Sequence, residues 1–549
     1  MSFIWETCLG KSSGRSSAER LIMRCRTLLP DRKVSNGDAR IVQGEGVGRH
    51  CTEFPKTPLR DPASRLRRLR TRENRQDRWC ECTGRGSSHA AGRKYEKKSE
   101  VRWMAWMTCM VVLMACLEAS VSWAAEPVAE VSAVQRLYDK QEYQKALDEI
   151  GKLSPSKAAL ADVRRVKIQS FLRLGNPKEA LVEYDKLEHA LKQDDTFLLR
   201  EIALGFVLVL TKDMREQMRG VAYTALKDWQ SPEAVPFLED GLLDGSGLVR
   251  TLAAEGLAKL EKGRRSARFR QAIEDEAVLV KEAVLKGLGR SGDASVVALA
   301  EPAMKEPEVR VRVAAAEVLC RFGRQQGCES LEQSGRSPNP DERNAAIRAL
   351  VNLKSAELSS VLLEASRHKQ PSVRGAAAMG LSHIPAPEAV AALVRLLKDP
   401  LPPVRVSAVV SLGQLQGVDT VSSLRTVLDD HDASVRAFVV GSLLEQGEPF
   451  NVVAAAISEL SNAKSTAIRA ALARALGSAT GKNRLSARLA LESLMADTIP
   501  RVRIAAIKSI AKVDGKNAVT TLKKSLHDTD DAVRAATGGK LLHAMLEQK

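Results

Sequence analysis

Eight acidic residues recur at one register of this 549-residue chain: Asp213, Asp244, Asp275, Asp399, Asp430, Asp497 and Asp528, with Glu306. Carboxylates are what general acid–base and metal-assisted catalysis require, so the column is the first place to look for chemistry. Six residues after each acid stands an Arg or Lys. A group needed once for catalysis gains nothing from repetition. A turn carboxylate that accepts hydrogen bonds from turn amides or a neighbouring guanidinium is useful in every unit. The spacing therefore predicts a structural ladder, with Asp244, Arg250, Asp275, Arg312, Arg374, Asp399, Arg405, Asp430, Arg436, Asp497, Arg503, Asp528 and Arg534 among its members.

Few other residues invite catalysis. Of the eight histidines, His368, His383, His431, His527 and His543 are scattered over turn and helix positions, and no pair has the i, i+4 spacing of a metal-ligand face. There is no Gly-rich phosphate loop and no clustered Cys/His set. No catalytic, cofactor-binding or metal-binding residue is therefore expected, and no cofactor. Cys80-Glu81-Cys82 suggests a metal, but it lies in a basic stretch without apolar periodicity. Cys320 and Cys328 are the cysteines beyond residue 125, and two readings stay open for them, a disulfide or buried thiols.

The elements that position the ladder follow from its period. Arg219, Arg250, Lys281, Arg312, Arg343, Arg374, Arg405, Arg436, Arg469, Arg503 and Arg534 are 31 residues apart except for gaps of 33 and 34 around Arg469 and Arg503. One residue earlier stands Val in most units, three later Ala (as in Ala253 and Ala408), and seven later Leu or Ile (as in Leu257 and Leu412). Steps of four and four make one buried helical stripe. A second amphipathic stretch precedes each, as in residues 389–397, and turns such as Asp399-Pro400-Leu401-Pro402-Pro403 separate the two. Each unit is two helices that cannot bury their own face, so stacked units are expected to form an all-α α-solenoid of about eleven pairs. The composition agrees, with aromatics at only 4%.

These D-x(5)-R-x(6)-L units, with Ala inside the second helix, resemble HEAT repeats of the short bacterial kind called PBS-lyase HEAT-like repeats, over roughly residues 200 to 545. That resemblance implies an armadillo-type superhelix and leaves the function open. It admits enzymes, namely phycobilin-type lyases and deoxyhypusine hydroxylase, an oxidoreductase that holds iron with His-Glu dipeptides. No His-Glu dipeptide occurs here. It also admits DNA-binding HEAT proteins with basic, aromatic grooves, which this composition does not favour. Ahead of the array, residues 137–147 and 171–181 align with Ala146 and Ala180 separated by 34, and this segment resembles two TPR units. Ala146, Ile150, Ala180 and Tyr184 take packing positions, while Gln141 stands where TPR units prefer Gly.

The net charge of +17 is uneven: residues 1–100 hold 23 Lys+Arg against 12 Asp+Glu, a surplus of 11, and residues 126–549 carry the remaining 6. We read residues 1–100 as a basic segment of low order, an over-extended gene start rather than a nucleic-acid-binding arm. Trp106–Leu117 is as long as a signal-peptide apolar core and too short to span a bilayer, and Ser122 and Ala124 suit cleavage after Ala124. Leu113-Met114-Ala115-Cys116 is an imperfect lipobox, which would place a lipid on Cys116 and give the only link to a membrane.

The expected organisation is thus 1–100 basic segment, 101–125 signal peptide, 126–195 TPR-like repeats and 196–549 HEAT-repeat solenoid. On each second helix, the residues five and nine after the basic position are variable and mostly polar, and they should line one concave face. Lys286, Arg290, Glu317, Arg321, Arg348, Asn352, Met379 and His383 are the candidate partner-binding residues. The expected function is that of an exported scaffold, periplasmic or envelope-associated in a bacterium. It would bind protein partners, not nucleic acid, and would not be an enzyme.

Overall fold

A computed structural model describes residues 132–354, 358–415 and 419–546. Every described residue belongs to one compact unit within Lys97–Lys549. The basic segment, the signal peptide, Cys80, Cys82 and Cys116 lie outside the described residues. Among the described residues all regular structure is helical, and no helix is long and apolar enough to cross a membrane.

The eleven basic-column positions each fall on a second helix: α1 (Glu216–Trp229), α2 (Gly247–Lys259), α3 (Val278–Gly289), α4 (Val309–Arg321), α5 (Pro340–Leu353), α6 (Pro371–Leu381), α7 (Pro402–Gln414), α8 (Ala433–Glu445), α9 (Thr466–Leu476), α10 (Pro500–Asp514) and α11 (Asp531–Leu546). Local chemistry sets where they start. Proline, whose missing N–H has no intrahelical partner in the first turn, opens α5, α6, α7 and α10. Ser246 and Asp432 cap α2 and α8 by accepting from backbone N–H groups of the first turn. The predicted stripe is buried in every turn, as in Val249, Ala253 and Leu257, or Val404, Ala408 and Leu412. Each fully buried Leu contributes about 1.5–3 kcal/mol relative to exposure, so a change such as Leu412→Ala, at a fully buried position, should cost about 2–5 kcal/mol. One apolar core runs unbroken from Ile168 to Met545.

Each second helix packs on the one before and the one after, whereas the first helices meet their neighbours less. The layer with the closer spacing lies on the smaller circumference, so the second helices form the inner layer.

The array closes on itself. Helix α11 packs along α1, the second helix of the first repeat, and along Thr196–Leu208, the first helix of that repeat. Two adjacent glycines permit the approach: a Cβ on Gly538 would collide with the Ala203 carbonyl oxygen, and one on Gly539 would lie 2.7 Å from the Ala225 carbonyl oxygen. Ion pairs reinforce the seam in both layers. Lys523 reaches Glu188 at 2.7 Å and Asp194 at 2.8 Å, and Lys178 reaches Asp531 at 3.3 Å. Facing the ring's interior, Asp228 of α1 takes Lys508 of α10 at 3.2 Å and Lys540 of α11 at 3.4 Å. Burial raises the Asp228 carboxyl, but the two ammonium groups outweigh it and hold the group below its ordinary value.

Ahead of the ring, residues 132–139 and Tyr143–Lys152 form one helical hairpin, and Ala161–Arg173 with Pro177–Leu191 form another. Gln141 and Gly175, 34 positions apart, make the equivalent left-handed turns at φ 62° and 77°. Ala146, Ile150, Ala180 and Tyr184 are buried. A left-handed φ costs a residue with a Cβ about 1–2 kcal/mol, which is why glycine suits this turn and Gln141 does not.

Candidate interaction face

The ladder has one repeated geometry. In Arg374, Nε and Nη2 donate to Asp399 Oδ2 and Oδ1 of the next repeat at 2.6 and 2.9 Å, while Nη1 donates to the His368 and Lys369 carbonyls of its own turn, both at 3.0 Å. Asp399 Oδ1 also accepts from the Leu401 N–H at 3.0 Å, closing its own turn. The same fork joins Arg219 to Asp244, Arg250 to Asp275, Arg405 to Asp430, Arg469 to Asp497 and Arg503 to Asp528, and Lys281 reaches Glu306. Each guanidinium thus ties two turns together, and each carboxylate ends two sets of donors. Arg312 lacks the fork because Ser337 stands at the acid's register, and it donates only to the Glu306 and Pro307 carbonyls. Arg436 takes Glu459 instead. At the seam Arg534 is held by Asp531 and the Asp528 carbonyl and lies over the Phe206 ring at 5.7 Å. Asp213, the acid of the first turn, pairs within that turn to Arg215, which lowers it to about 2.

Titration of the ladder has a calculable sign. Burial raises Asp244, Asp399, Asp430 and Asp528, but the paired guanidiniums and turn amides outweigh it; in Asp497 the Arg469 hydrogen bond is the largest influence. All five are lowered in the fold, so their contribution is complete above the ordinary carboxylate value of about 3.9 and is lost as pH falls through the lowered values. Melting temperature should therefore hold from pH 7 to about pH 4 and then drop steeply. A flat profile down to pH 2.5 in thermal melts would contradict the ladder's role.

The candidate residues are carried by, or directly follow, helices α3 to α6 of the inner layer. Lys286 of α3 pairs with Glu282, which also takes Arg310 of α4 at 3.3 Å. Arg290 caps α3, exposed, with Nε donating to the Lys286 carbonyl at 3.0 Å and, among the described residues, with no carboxylate partner. Arg348 on α5 is exposed and has no ion-pair partner among the described residues, and Met379 on α6 is 59% exposed. His383 is exposed beyond α6, with Ser382 Oγ 3.0 Å from its Nδ1. Glu317 departs from the expectation. It is 4% exposed and accepts from Arg321 at 3.1 Å and from Asn352 of α5 at 3.2 Å, so it joins α4 to α5 instead of facing a partner. Its register is that of the face, but its carboxylate is taken up by Arg321 of its own helix and Asn352 of the next.

Two further lysines add to this surface: Lys259, which stands nine residues after Arg250 and so at the register of the face although it is not among the candidate residues, and Lys227, which lies off that register. Lys227 pairs with Glu255 at 2.7 Å, while burial, aided by Lys227, pushes the Lys259 ammonium below its ordinary value. Lys259, Lys286, Arg290 and Arg310 border a groove of about 340 Å³ across α2, α3 and α4. Among the described residues, no group of three or more His, Cys, Asp or Glu is placed to hold a metal ion.

A family model described as HEAT repeats matches residues 266–351, 328–402, 359–444 and 453–539. Residues 266–539 are HEAT repeats. No curated protein matches the chain. Among solved structures, an engineered protein is 17% identical over 62% of this chain and 98% of its own, with a TM-score of 0.23. Human deoxyhypusine hydroxylase in complex with glycerol is 19% identical over 45% and 96%, at 0.26. Yeast importin-beta (Kap95p) is 14% identical over 68% and 60%, at 0.31. These likenesses assign no activity to the HEAT array. The Cys320–Cys328 disulfide staples the end of α4 to Gln325–Gly335, the next helix, with Cα atoms 4.6 Å apart.

Proposed function

We propose that this chain is an exported HEAT scaffold whose ring binds protein partners on its inner face. The observation that carries this reading is the run of unpaired or underpaired cations, Lys259, Arg290 and Arg348, on the closed inner surface of a repeat array. With eleven helices about 9 Å apart, opposite helix axes are roughly 30 Å apart and the clear width is roughly 20 Å. That width suits an extended or helical segment of a partner better than a folded domain. The surplus of cations on α2 to α5 favours an acidic segment.

Export is supported by the apolar run Trp106–Leu117 with its cleavage site at Ala124, and by a disulfide between the two cysteines of the array, a bond at home in oxidising compartments. Cleavage after Ala124 would remove Cys116, so envelope attachment through a lipid on Cys116 is the alternative to that cut, with the leader cleaved before Cys116 instead. The two hairpins at a 34-residue period support a TPR-like preface over 126–195 ahead of the ring.

Capture of partners from envelope extract by the full chain, with identification by mass spectrometry, tests the reading. The wild type should retain a defined protein that the triple variant R290E/R321E/R348E loses at least tenfold. Equal capture by both, or recovery of the full chain only in the cytoplasm, would contradict it.

A further inference from the structure

One rung of the ladder is inverted. At the register where Arg343 should meet a carboxylate from the next turn stands His368. His368 keeps half of the missing acid's work: its Nδ1 accepts from the Gln370 N–H at 3.1 Å, as Asp399 Oδ1 accepts from Leu401. That hydrogen bond places the ring proton on Nε2, so the residue offers a donor where the other rungs offer an acceptor. Burial first, then Arg343 and Lys369, hold the imidazole below its ordinary value, so it is neutral at pH 7.

Arg343 responds by turning. Its Nε and Nη2 donate to the Ser337 and Arg336 carbonyls at 2.9 and 2.6 Å, which leaves Nη1 with only Glu364 at 3.7 Å, beyond hydrogen-bond range. The Arg343 side chain is 9% exposed, whereas that of Glu364 is 60% exposed and turned to solvent. A guanidinium buried to this degree without its carboxylate is costly, and the space beside it is open. Arg343 and His368 border a cavity of about 1030 Å³ whose other charged lining residues are Arg367, Lys369 and Arg395 against Glu364 and Glu388, four cations to two carboxylates with His368 neutral. Arg395 is held in place by Ser366 Oγ, 2.8 Å from its Nη2, and burial and Arg367 lower its value.

We propose that this cavity binds a small organic polyacid, one carboxylate of which takes the place that the ladder aspartate fills in the intact rungs. That carboxylate accepts from Arg343, and the further carboxylates meet Arg367, Lys369 and Arg395. The site lies at the turns of the repeats, apart from the inner face, and stands whether or not that face binds a protein.

Calorimetric titration of the full chain at constant ionic strength tests it, with citrate as the probe, acetate as the single-carboxylate control and inorganic phosphate as the competing oxyanion. Citrate should bind saturably at one site, and acetate at least tenfold more weakly. The decisive variant is His368→Asp, which supplies the missing carboxylate from the chain itself. It should melt at or above the wild-type temperature and bind citrate at least tenfold more weakly. Arg343→Gln should also lose binding, and His368→Asp keeps the test valid if that variant fails to fold. Absence of saturable citrate binding, unchanged affinity in His368→Asp, or tighter binding of phosphate than of citrate would overturn the proposal.

Discussion

Gly538→Leu should open the ring. The position faces the Ala203 carbonyl oxygen with no room for a Cβ, and the obstacle is helix backbone, which cannot rotate aside as a side chain can. Overpacking a tight core position costs about 1–3 kcal/mol when neighbours can adjust, and here the two helices must separate instead. Separation also exposes Val207 and Leu542 and breaks the Lys523 and Asp228 ion pairs, so the seam should fail as a unit while the repeats stay folded. Small-angle scattering should report a larger radius of gyration and circular dichroism an unchanged helix content. Gly151→Ala is the control, because a Cβ there meets nothing within 4 Å. An unchanged radius for Gly538→Leu would mean that α11 does not seal the ring.

The second large effect is expected from Arg405→Met. The Arg405 and Asp430 side chains are 5% and 6% exposed, the most enclosed pair of the ladder forks, and Arg405 also holds the Asp399 and Pro400 carbonyls. Removing one member leaves a buried unpaired carboxylate and should cost about 3–5 kcal/mol. Arg405→Met with Asp430→Leu should cost less than the single change, since no charge is then stranded. Arg436→Met gives the contrast: its partner Glu459 is 64% exposed, and the loss should be about 1 kcal/mol or less. Denaturant unfolding of the four proteins measures the series. Equal losses for Arg405→Met and Arg436→Met would show that the ladder does not draw its strength from burial.

The repeat register was fully legible in the sequence, because a residue repeated at a 31-residue step needs no tertiary knowledge to be aligned. The Arg-to-Asp connection was legible as chemistry, though its direction, from one repeat's helix to the next repeat's turn, is set by how consecutive repeats stack. The inner face was legible as positions but not as environments: Glu317 shares its register with half-buried Lys286 and exposed Arg348, yet it is buried and bonded to Asn352. Closure was not legible, since ring or open superhelix depends on the sum of small rotations between units that no single residue encodes. A signal was nevertheless present. Gly538 and Gly539 stand where the other second helices mostly carry larger side chains, and a glycine pair inside a helix implies that another backbone comes close. His368, in a column of acids, was the corresponding signal for the cavity beside Arg343.

An open solenoid exchanges its guest sideways through the gap between its ends, but a sealed circle of helices has no such gap. A long chain held inside it can leave only by sliding end-on along the axis or by waiting for the α11 seam to part. For a partner with bulky domains on both sides of the bound segment, only the second route exists. Its residence time would then be set by the lifetime of the seam and not by the strength of its own contacts.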